Sequence, residues 1–398
     1  MKPAFLPPTI FWINVKNVVN NPFRISIFNQ NRGNMGKKIN ILSLDGGGIR
    51  GVIPAAVMAY VEEKIIEITN NPHARIADVF DMIVGTSTGG ILSCLYLTPD
   101  TEGPHSTKYS AQDAVRFYDE KGYDIFNASK RSFMTVRQLF NATRYQANNL
   151  EQIFEAEFGD LKMAQLKNHC LVTTYDIKAK QAHFFSNKEQ AHKKRDFYVR
   201  DVVRSTSAAP TYFPPAKIRN LATNEEMINI DGGVFANNPT MCAYAEARHT
   251  VFDQVTYPTA EDMYILSVGT GAGQFDLPDT GKSNSWGVLN WAKSMPDIMM
   301  DAAVDTVNFQ IKRLFGSLRH EGQYHYKRID VPIDKRKSID YSTNMADASA
   351  ENILKLKIAA EAALEDAIKT KIDEYELDLF IKKLVGEGEV GKSDKLVL

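Results

Sequence analysis

A serine flanked by small residues lies near the start of the chain, within Gly85 to Gly89, which reads GTSTG. An apolar run precedes this G-x-S-x-G motif and another follows it, so we predict that the motif joins a buried strand to a helix. Such a turn lifts the serine hydroxyl above the end of the sheet, and Gly85 and Gly89 leave the backbone room to make it. The helix would direct its first N–H groups towards developing negative charge. The chemistry predicted for Ser87 is nucleophilic attack.

A glycine-rich loop comes earlier, where the first predicted strand ends. Asp45 to Gly51 reads DGGGIRG, and adjacent glycines leave backbone N–H groups unshielded and permit positive φ angles. Such a loop can cradle a phosphate or form an oxyanion hole. The pattern is not G-x-G-x-x-G and no G-K-[S/T] follows, which excludes a P-loop and disfavours a dinucleotide site. With a nucleophile motif on the next strand, we expect an oxyanion hole built from Gly46, Gly47, Gly48 and Ile49, with Arg50 bracing the loop rather than contacting the substrate.

An aspartate stands at the end of another predicted strand, in Asp231-Gly232-Gly233. A serine hydroxyl needs a base to take its proton. A carboxylate is a weak base in water, but burial raises its pKa, and Gly232 and Gly233 leave Asp231 free of side-chain crowding. We therefore expect Asp231 to be the base. The alternative is that Asp231 caps a helix beginning near Asn237.

A histidine could replace this direct pairing in a Ser-Asp-His triad. The histidines after Asp231 are His249, His320 and His325. None follows a clear strand end, where a triad histidine is expected. The residues therefore favour a two-residue mechanism over a triad.

The elements that must position these residues alternate along the chain. Buried strands are predicted at Ile39–Leu44, Val79–Val84, Leu171–Tyr175, His183–Ser186, Met227–Ile230 and Tyr264–Val268. Helices are predicted at Val52–Thr69 and Thr88–Leu97, and between the later strands. Apolar strands that alternate with helices predict an α/β fold with a mainly parallel central sheet covered on both faces. The weakly periodic residues 99–149 are expected to form a cap or helical insertion near the site.

Composition and charge narrow the class of protein. The chain has 398 residues, of which 44% are hydrophobic and 24% charged, and its net charge of -1 gives no pull towards nucleic acid. Its three cysteines are far apart, so neither a zinc site nor a disulfide framework is implied.

We expect an N-terminal extension over residues 1–38, disordered or non-native, with six Lys or Arg and no acidic residue. A main domain over 39–350 and a C-terminal helical segment with a frayed tail over 351–398 should follow, the helical segment packing on the main domain.

Several sequence blocks, in this order, resemble the patatin-like phospholipase family. They are Ile41–Gly51, Ala74–Asp81 leading into the serine motif, Ser207–Pro215, Asp231–Pro239, and Met345–Ser349 with Asn352. The resemblance spans roughly Ile39 to Leu364. It implies a three-layer α/β/α fold and a Ser-Asp dyad without histidine, in which Ser87 attacks an acyl ester, Asp231 accepts its proton, and an acyl-enzyme forms. It implies neither a metal nor another cofactor.

The resemblance also implies partners and leaves two alternatives open. The implied substrates are phospholipids, lysophospholipids or galactolipids, reached through peripheral membrane contact, and the lack of a clear secretory signal favours a cytoplasmic, bacterial member. One alternative is a storage-type protein with residual esterase activity. The other is an effector gated by a small-molecule activator, because some bacterial members are switched on by cyclic nucleotides in phage defence. Lys312 to Lys337 holds eight Lys or Arg, which could bind phosphate groups or form a solvated face.

Overall fold

A single sheet forms the middle layer of the computed structural model, which describes residues 38–125, 147–188, 195–253, 255–271, 287–318, 324–342, 344–369 and 376–386. Within these residues the sheet has eight strands. They are β1 (Ile39–Leu44), β2 (Met82–Thr86), β3 (His169–Asp176), β4 (Gln181–Ser186), β5 (Ala216–Arg219), β6 (Glu226–Asp231), β7 (Met263–Val268) and β8 (Tyr326–Ile329).

Helices cover both faces of this sheet. In chain order they are α1 (Val52–Thr69), α2 (Ile76–Val79), α3 (Thr88–Leu97), α4 (Ala111–Ile125), α5 (Ala147–Phe158), α6 (Val199–Thr206), α7 (Gly233–Ala236), α8 (Thr240–His249), α9 (Val288–Gly316), α10 (Ile333–Ile339), α11 (Ala350–Lys369) and α12 (Leu377–Val385). Leu42 and Leu44 of β1 pack into the larger core with α1, α3 and α11. Ile39 and Ile41 point to the other face, where they pack with α8 and α9. The predicted three-layer α/β/α fold is confirmed.

The sheet is parallel on one side and antiparallel on the other. β1 pairs in parallel with β2 and β7, β2 with β3, and β7 with β8. β3 pairs antiparallel with β4 and β6, and β5 pairs antiparallel with β6. The expectation of a mainly parallel sheet is met, and the antiparallel strands are an addition that the apolar pattern did not predict.

Two strands share one edge of β3. β2 pairs with residues 169–173 of β3, whereas β4 pairs with residues 171–176, so β2 and β4 must lie on opposite edges. β6 pairs with residues 174–176 and therefore lies on the same edge as β2. The last residue of β2, Thr86, pairs with Thr173, and the last residue of β6, Asp231, pairs with Thr174. The two strands thus run towards each other along this edge, and their last residues lie opposite neighbouring residues of β3.

One predicted strand is displaced. The residues predicted as a strand at Val79–Val84 are divided between the end of α2 and the start of β2. A capping interaction explains the short helix, since the Asp78 carboxylate accepts the N–H of Arg75 at 2.8 Å and Glu62 accepts the N–H of Ile76 at 3.1 Å. The strand therefore starts later than its apolar residues suggest.

The C-terminal helices pack on the main body. α11 and α12 both contact α1, and Ala359, Ala360 and Ala363 of α11 are fully buried. The side-chain amide of Asn40 on β1 donates to the carbonyl of Leu384 at 2.7 Å. The residues predicted as a cap, 99–149, include α4 and only the first three residues of α5. Residues 126–146 lie outside the described residues, as do residues 1–37 and the predicted tail from 387 onwards. No helix in the described part of the chain is long and apolar enough to cross a membrane.

Candidate active site

Ser87 occupies a strained turn between β2 and α3. Its φ of 54° and ψ of -122° are unusual for a residue with a side chain. Gly85 and Gly89 make the turn possible: a Cβ on Gly85 would lie 2.1 Å from the Gly89 carbonyl oxygen, and one on Gly89 would lie 2.1 Å from the Leu44 carbonyl oxygen. The helix can fold back on the strand only because these positions lack side chains, and Ser87 is thereby placed at the N-terminus of α3.

Thr206, at the end of α6, holds the backbone of this turn. Its hydroxyl oxygen accepts the Ser87 N–H at 2.8 Å and its hydroxyl donates to the Thr173 carbonyl at 2.7 Å. A non-glycine residue at positive φ persists when its surroundings fix it. Thr206 supplies that restraint, because its hydroxyl ties the Ser87 N–H to the backbone of β3. Sequence reasoning missed Thr206, because the spacing of residues 87 and 206 carries no signal of their contact.

Asp231 meets Ser87 where β2 and β6 end. Gly232 lies so close to β3 that a Cβ there would be 2.1 Å from the Thr173 hydroxyl oxygen, so the chain can turn away directly after Asp231. Asp231 is 5% exposed. Burial raises the pKa of its carboxyl to about 6, although hydrogen bonds from the Ser87 hydroxyl and the Gly233 N–H oppose the rise. The Gly233 N–H donates to Asp231 at 2.7 Å, so the carboxylate also satisfies the first turn of α7.

The glycine loop lies against this pair, but it offers fewer donors than expected. The N–H of Gly46 donates to the Asn237 carbonyl at 3.0 Å, and the N–H of Ile49 donates to the Met345 carbonyl at 2.8 Å. Both N–H groups are therefore already bonded, and the oxyanion role predicted for Gly46 and Ile49 stays a prediction that these hydrogen bonds do not support. A Cβ on Gly46 would lie 3.3 Å from the Ser87 Cβ, so this glycine is needed for close approach.

Gly47 and Gly48 keep their N–H groups available. Among the described residues, neither N–H group has a hydrogen-bond partner. Gly48 has a φ of +60°, and a Cβ there would lie 2.3 Å from the Met345 carbonyl oxygen. Backbone N–H groups held in this way suit a developing oxyanion, which leaves Gly47 and Gly48 as the candidate donors.

A buried ion pair anchors the first residue of the loop. The Arg328 guanidinium on β8 donates to both carboxylate oxygens of Asp45, at 2.7 and 3.2 Å, and also to Asp330 at 2.9 Å. Burial raises the pKa of Asp45 to about 6 although Arg328 opposes the rise. The Thr270 hydroxyl fixes the next residue by donating to the Gly46 carbonyl at 2.8 Å. These anchors were not predicted, because β8 itself was not.

Arg50 lies under the loop and faces α9. Its Nε donates to the Gly47 carbonyl at 3.4 Å, a long contact compatible with bracing. Burial raises the pKa of the Asp297 and Asp301 carboxyls on α9, that of Asp301 to about 6. The positive charge of Arg50 opposes the rise in both cases. Arg50 thus lies close enough to α9 for its charge to act on both carboxyls.

A small, mainly apolar cavity opens at Ser87. It has a volume of about 40 Å³ and is lined by Gly48, Ser87, Thr88, Ile91, Tyr118, Ile125, Leu150, Ser207, Ala209, Tyr212, Phe213 and Met345. The Tyr118 and Thr88 hydroxyls are hydrogen-bonded to each other, whereas the buried Ser207 hydroxyl has no partner in the part of the chain that the structure describes. Such a lining suits an acyl group with an ester at one end.

Neither His249 nor His325, the two of these histidines that the structure describes, completes a triad. His249 ends α8 and is exposed, and His320 lies outside the described residues. His325 precedes β8, and its Nδ1 lies 3.0 Å from the Met263 carbonyl oxygen. Among the described residues it makes no hydrogen bond with Ser87 or Asp231. Through the strand registers, the start of β8 is level with Met82, about 16 Å along the strand from Ser87 at roughly 3.3 Å per residue. The described residues contain no group of three His, Cys, Asp or Glu that could hold a metal.

The basic stretch from Lys312 to Lys337 does not form a single solvated face. Arg328 and Arg336 both interact with Asp330, at 2.9 and 3.7 Å, and Arg328 and Lys327 are largely buried. Arg328 is therefore directed inward, where it supports the glycine loop through Asp45. The stretch gives no specific support to a phosphate-binding face.

Comparison with known proteins relates this site to others. A family model described as patatin-like phospholipase matches residues 42–244. Patatin-like protein 2 of Arabidopsis thaliana is 34% identical over 327 residues, which cover 77% of this chain and 80% of that protein. Patatin of Solanum tuberosum is 31% identical over 356 residues, covering 86% and 88%. A further Solanum tuberosum protein, named "Probable inactive patatin-3-Kuras 1", is 28% identical over 357 residues, covering 87% and 91%. Because the similarity extends to a protein with that name, the similarity by itself does not establish activity.

Proposed function

Because this chain belongs to the patatin-like phospholipase family, a family of lipid ester hydrolases, we propose that it is a lipid acyl hydrolase of the phospholipase A or lysophospholipase type that works through a Ser87–Asp231 dyad. One observation carries the proposal. The Ser87 hydroxyl, on a strained turn at the N-terminus of α3, lies where β2 and β6 end, beside the buried Asp231 carboxyl. Burial raises the pKa of that carboxyl to about 6, although a hydrogen bond from Ser87 opposes the rise. A base with a pKa just below neutral is ionised at pH 7 and still takes up a proton readily.

The first half of the reaction forms an acyl-enzyme. As the Ser87 oxygen attacks the ester carbonyl, its proton passes to the Asp231 carboxylate, and the carbonyl oxygen becomes an oxyanion. The N–H groups of Gly47 and Gly48 stabilise that charge, and each such donor is typically worth about 100-fold or more in kcat. When the intermediate collapses, the bond to the alcohol oxygen breaks, and Asp231 returns the proton to the departing lysolipid or alcohol.

The second half releases the fatty acid. Asp231 removes a proton from a water molecule, whose oxygen attacks the acyl carbonyl through a second oxyanion at the same N–H groups. The bond to Ser87 then breaks, and the Ser87 oxygen recovers its proton from Asp231. The apolar lining at Ile91, Leu150 and Phe213 supports an acyl group rather than a charged one on this side of the ester.

The proposal is tested by fatty-acid release from phosphatidylcholine and lysophosphatidylcholine. Ser87→Ala should lower release by at least about 1,000-fold, because the nucleophile is lost. Ser186→Ala is the matched control, since Ser186 is also a buried serine but lies on β4, at the opposite edge of β3. Undiminished release by Ser87→Ala, or an equal loss in both variants, would refute the proposal. Turnover at background by the wild type on every lipid ester would instead favour the storage-type alternative.

A further inference from the structure

Helix α9 carries large apolar side chains on two opposite sides. Its inner side holds Val304, Ile311 and Phe315, which are at most 6% exposed. At 100° per residue, four other residues fall within about 40° of one line along the opposite side. We call this set the outer line, and its members are Trp291, Met295, Met299 and Phe309, which are 45%, 42%, 46% and 64% exposed. Large apolar side chains aligned on a surface mark an interaction site.

The outer line has no negative charge. The remaining positions on the same side of the helix whose side chains the structure describes are Ala302, Thr306 and Arg313, all exposed. The Arg313 guanidinium lies 5.4 Å from the centre of the Phe309 ring. Asp297 and Asp301 lie on another side of the helix, where the positive charge of Arg50 lowers the pKa of both carboxyls against the effect of burial. The exposed side is therefore apolar along the outer line, with the Arg313 cation near its end and the exposed Asp305 carboxylate at its edge. An exposed apolar line of this kind is typical of helices that lie at the surface of a membrane.

The other side of α9 contacts the catalytic residues' immediate neighbours. The Met300 sulfur lies 3.4 Å from the position of a Cβ on Gly233, and the Gly233 N–H bonds to Asp231. Since a helix is about 10 Å across, anything bound to the outer line lies roughly one helix diameter from the residues that flank the dyad.

We propose that the outer line of α9 docks on the surface of a lipid bilayer and thereby holds the dyad about one helix diameter from the layer that contains its substrate. The choice of a lipid surface as the occupant rests on the proposed function. Area also favours it over a second copy of the chain. The outer line is 27 Å long, at 1.5 Å for each of 18 steps, and about 10 Å wide, so it offers about 270 Å² where a stable dimer needs roughly 800 Å² per partner.

Vesicle flotation in a Ser87→Ala background tests this docking, because the vesicles then stay intact. The parent protein should float with phosphatidylcholine vesicles containing one-fifth phosphatidylglycerol. Met295→Ser with Met299→Ser should lower the partition coefficient at least about tenfold, since two half-exposed apolar side chains no longer enter the lipid. Val251→Ser with Tyr257→Ser is the matched control, because these residues are 62% and 80% exposed and lie outside α9.

A second measurement separates this inference from the proposed function. With Ser87 intact, the double Met variant should hydrolyse a water-soluble short-chain ester as fast as the wild type and lose activity only on vesicles. Equal flotation of the double Met variant and its parent would overturn the docking, as would loss of a dimer in light scattering when the two methionines are replaced. A wild type that floats but hydrolyses neither ester would overturn the proposed function alone.

Discussion

Replacement of Asp231 by Asn should stabilise the folded protein above pH 6 while it removes the catalytic base. The Asp231 carboxyl has a pKa of about 6 when folded and about 3.9 in an unfolded chain. Because the folded value is higher, the folded state binds the proton more tightly. The stability that this proton provides is fully present below pH 3.9 and is lost as the pH rises through 6. Asn has no proton to lose, and its amide oxygen can still accept the Gly233 N–H.

The size of the effect follows from the two pKa values. The free energy of unfolding of Asp231→Asn should exceed that of the wild type by less than about 1 kcal/mol at pH 4, by about 1 to 2 kcal/mol at pH 5 and by about 3 kcal/mol at pH 7. With an unfolding entropy of roughly 2.1 cal/mol/K per residue over the whole chain, the difference at pH 7 corresponds to an increase in Tm of about 4 °C. The full-length protein and its variant would be compared by calorimetry at pH 4, 5, 6 and 7.

Asp45→Asn is the matched control for this experiment. Asp45 is equally buried and its pKa is also about 6, but its carboxylate pairs with the buried Arg328 guanidinium. Loss of one partner from a buried ion pair typically costs about 3 kcal/mol or more, so Asp45→Asn should lower the Tm at pH 7. The reasoning fails if Asp231→Asn is destabilising at pH 7, or if it raises the Tm equally at pH 4 and pH 7.

Three further predictions concern catalysis on a soluble ester. The kcat/KM should fall about tenfold between pH 7 and pH 5, because Asp231 with a pKa of about 6 is then largely protonated; a rate that is flat down to pH 5 would contradict this role. Gly48→Ala should lower kcat by about 100-fold or more with little change in KM, because the positive φ and crowding at Gly48 displace the oxyanion donor. Gly159→Ala, at positive φ in open space, should leave kcat unchanged, and equal losses would count against the oxyanion role. Thr206→Val should lower kcat by roughly tenfold because the Ser87 N–H loses its acceptor, while Thr206→Ser should retain activity; identical rates for the two variants would exclude the restraint.

The parts of the site that lie next to each other in sequence could be predicted. β1 and α3 have the predicted bounds, Ile39–Leu44 and Thr88–Leu97. In each case the apolar run borders directly on polar or glycine residues of the site: Asp45 and the glycine loop follow β1, and Ser87 precedes α3. The strained turn at Ser87 and the strand end at Asp231 follow from local composition, since glycine is needed wherever backbone segments approach closely.

The contacts between distant segments could not be predicted. Gly46 and Ile49 carry N–H groups that look available in the sequence, yet their acceptors are carbonyls of residues 237 and 345. β8 reads Tyr-Lys-Arg-Ile, and the charges on this short strand hide both its burial and the pairing of Arg328 with Asp45, 283 residues away in sequence. No local pattern shows that β6 runs antiparallel to β3, although that direction brings Asp231 to Ser87.

The meeting of β2 and β6 on one edge of β3 makes enzymatic turnover a probe of folding. Ser87 and Asp231 are 144 residues apart, from 231 minus 87, and β3 supplies the template on which both strands end. A slip of one residue by either strand would turn its side chains to the other face and separate the two groups. A partly folded chain that has formed β1 to β3 but has not docked β6 can bury much of its core and still have no base beside Ser87. During refolding, recovered activity should therefore report the arrival of β6 and should lag behind signals of helix formation.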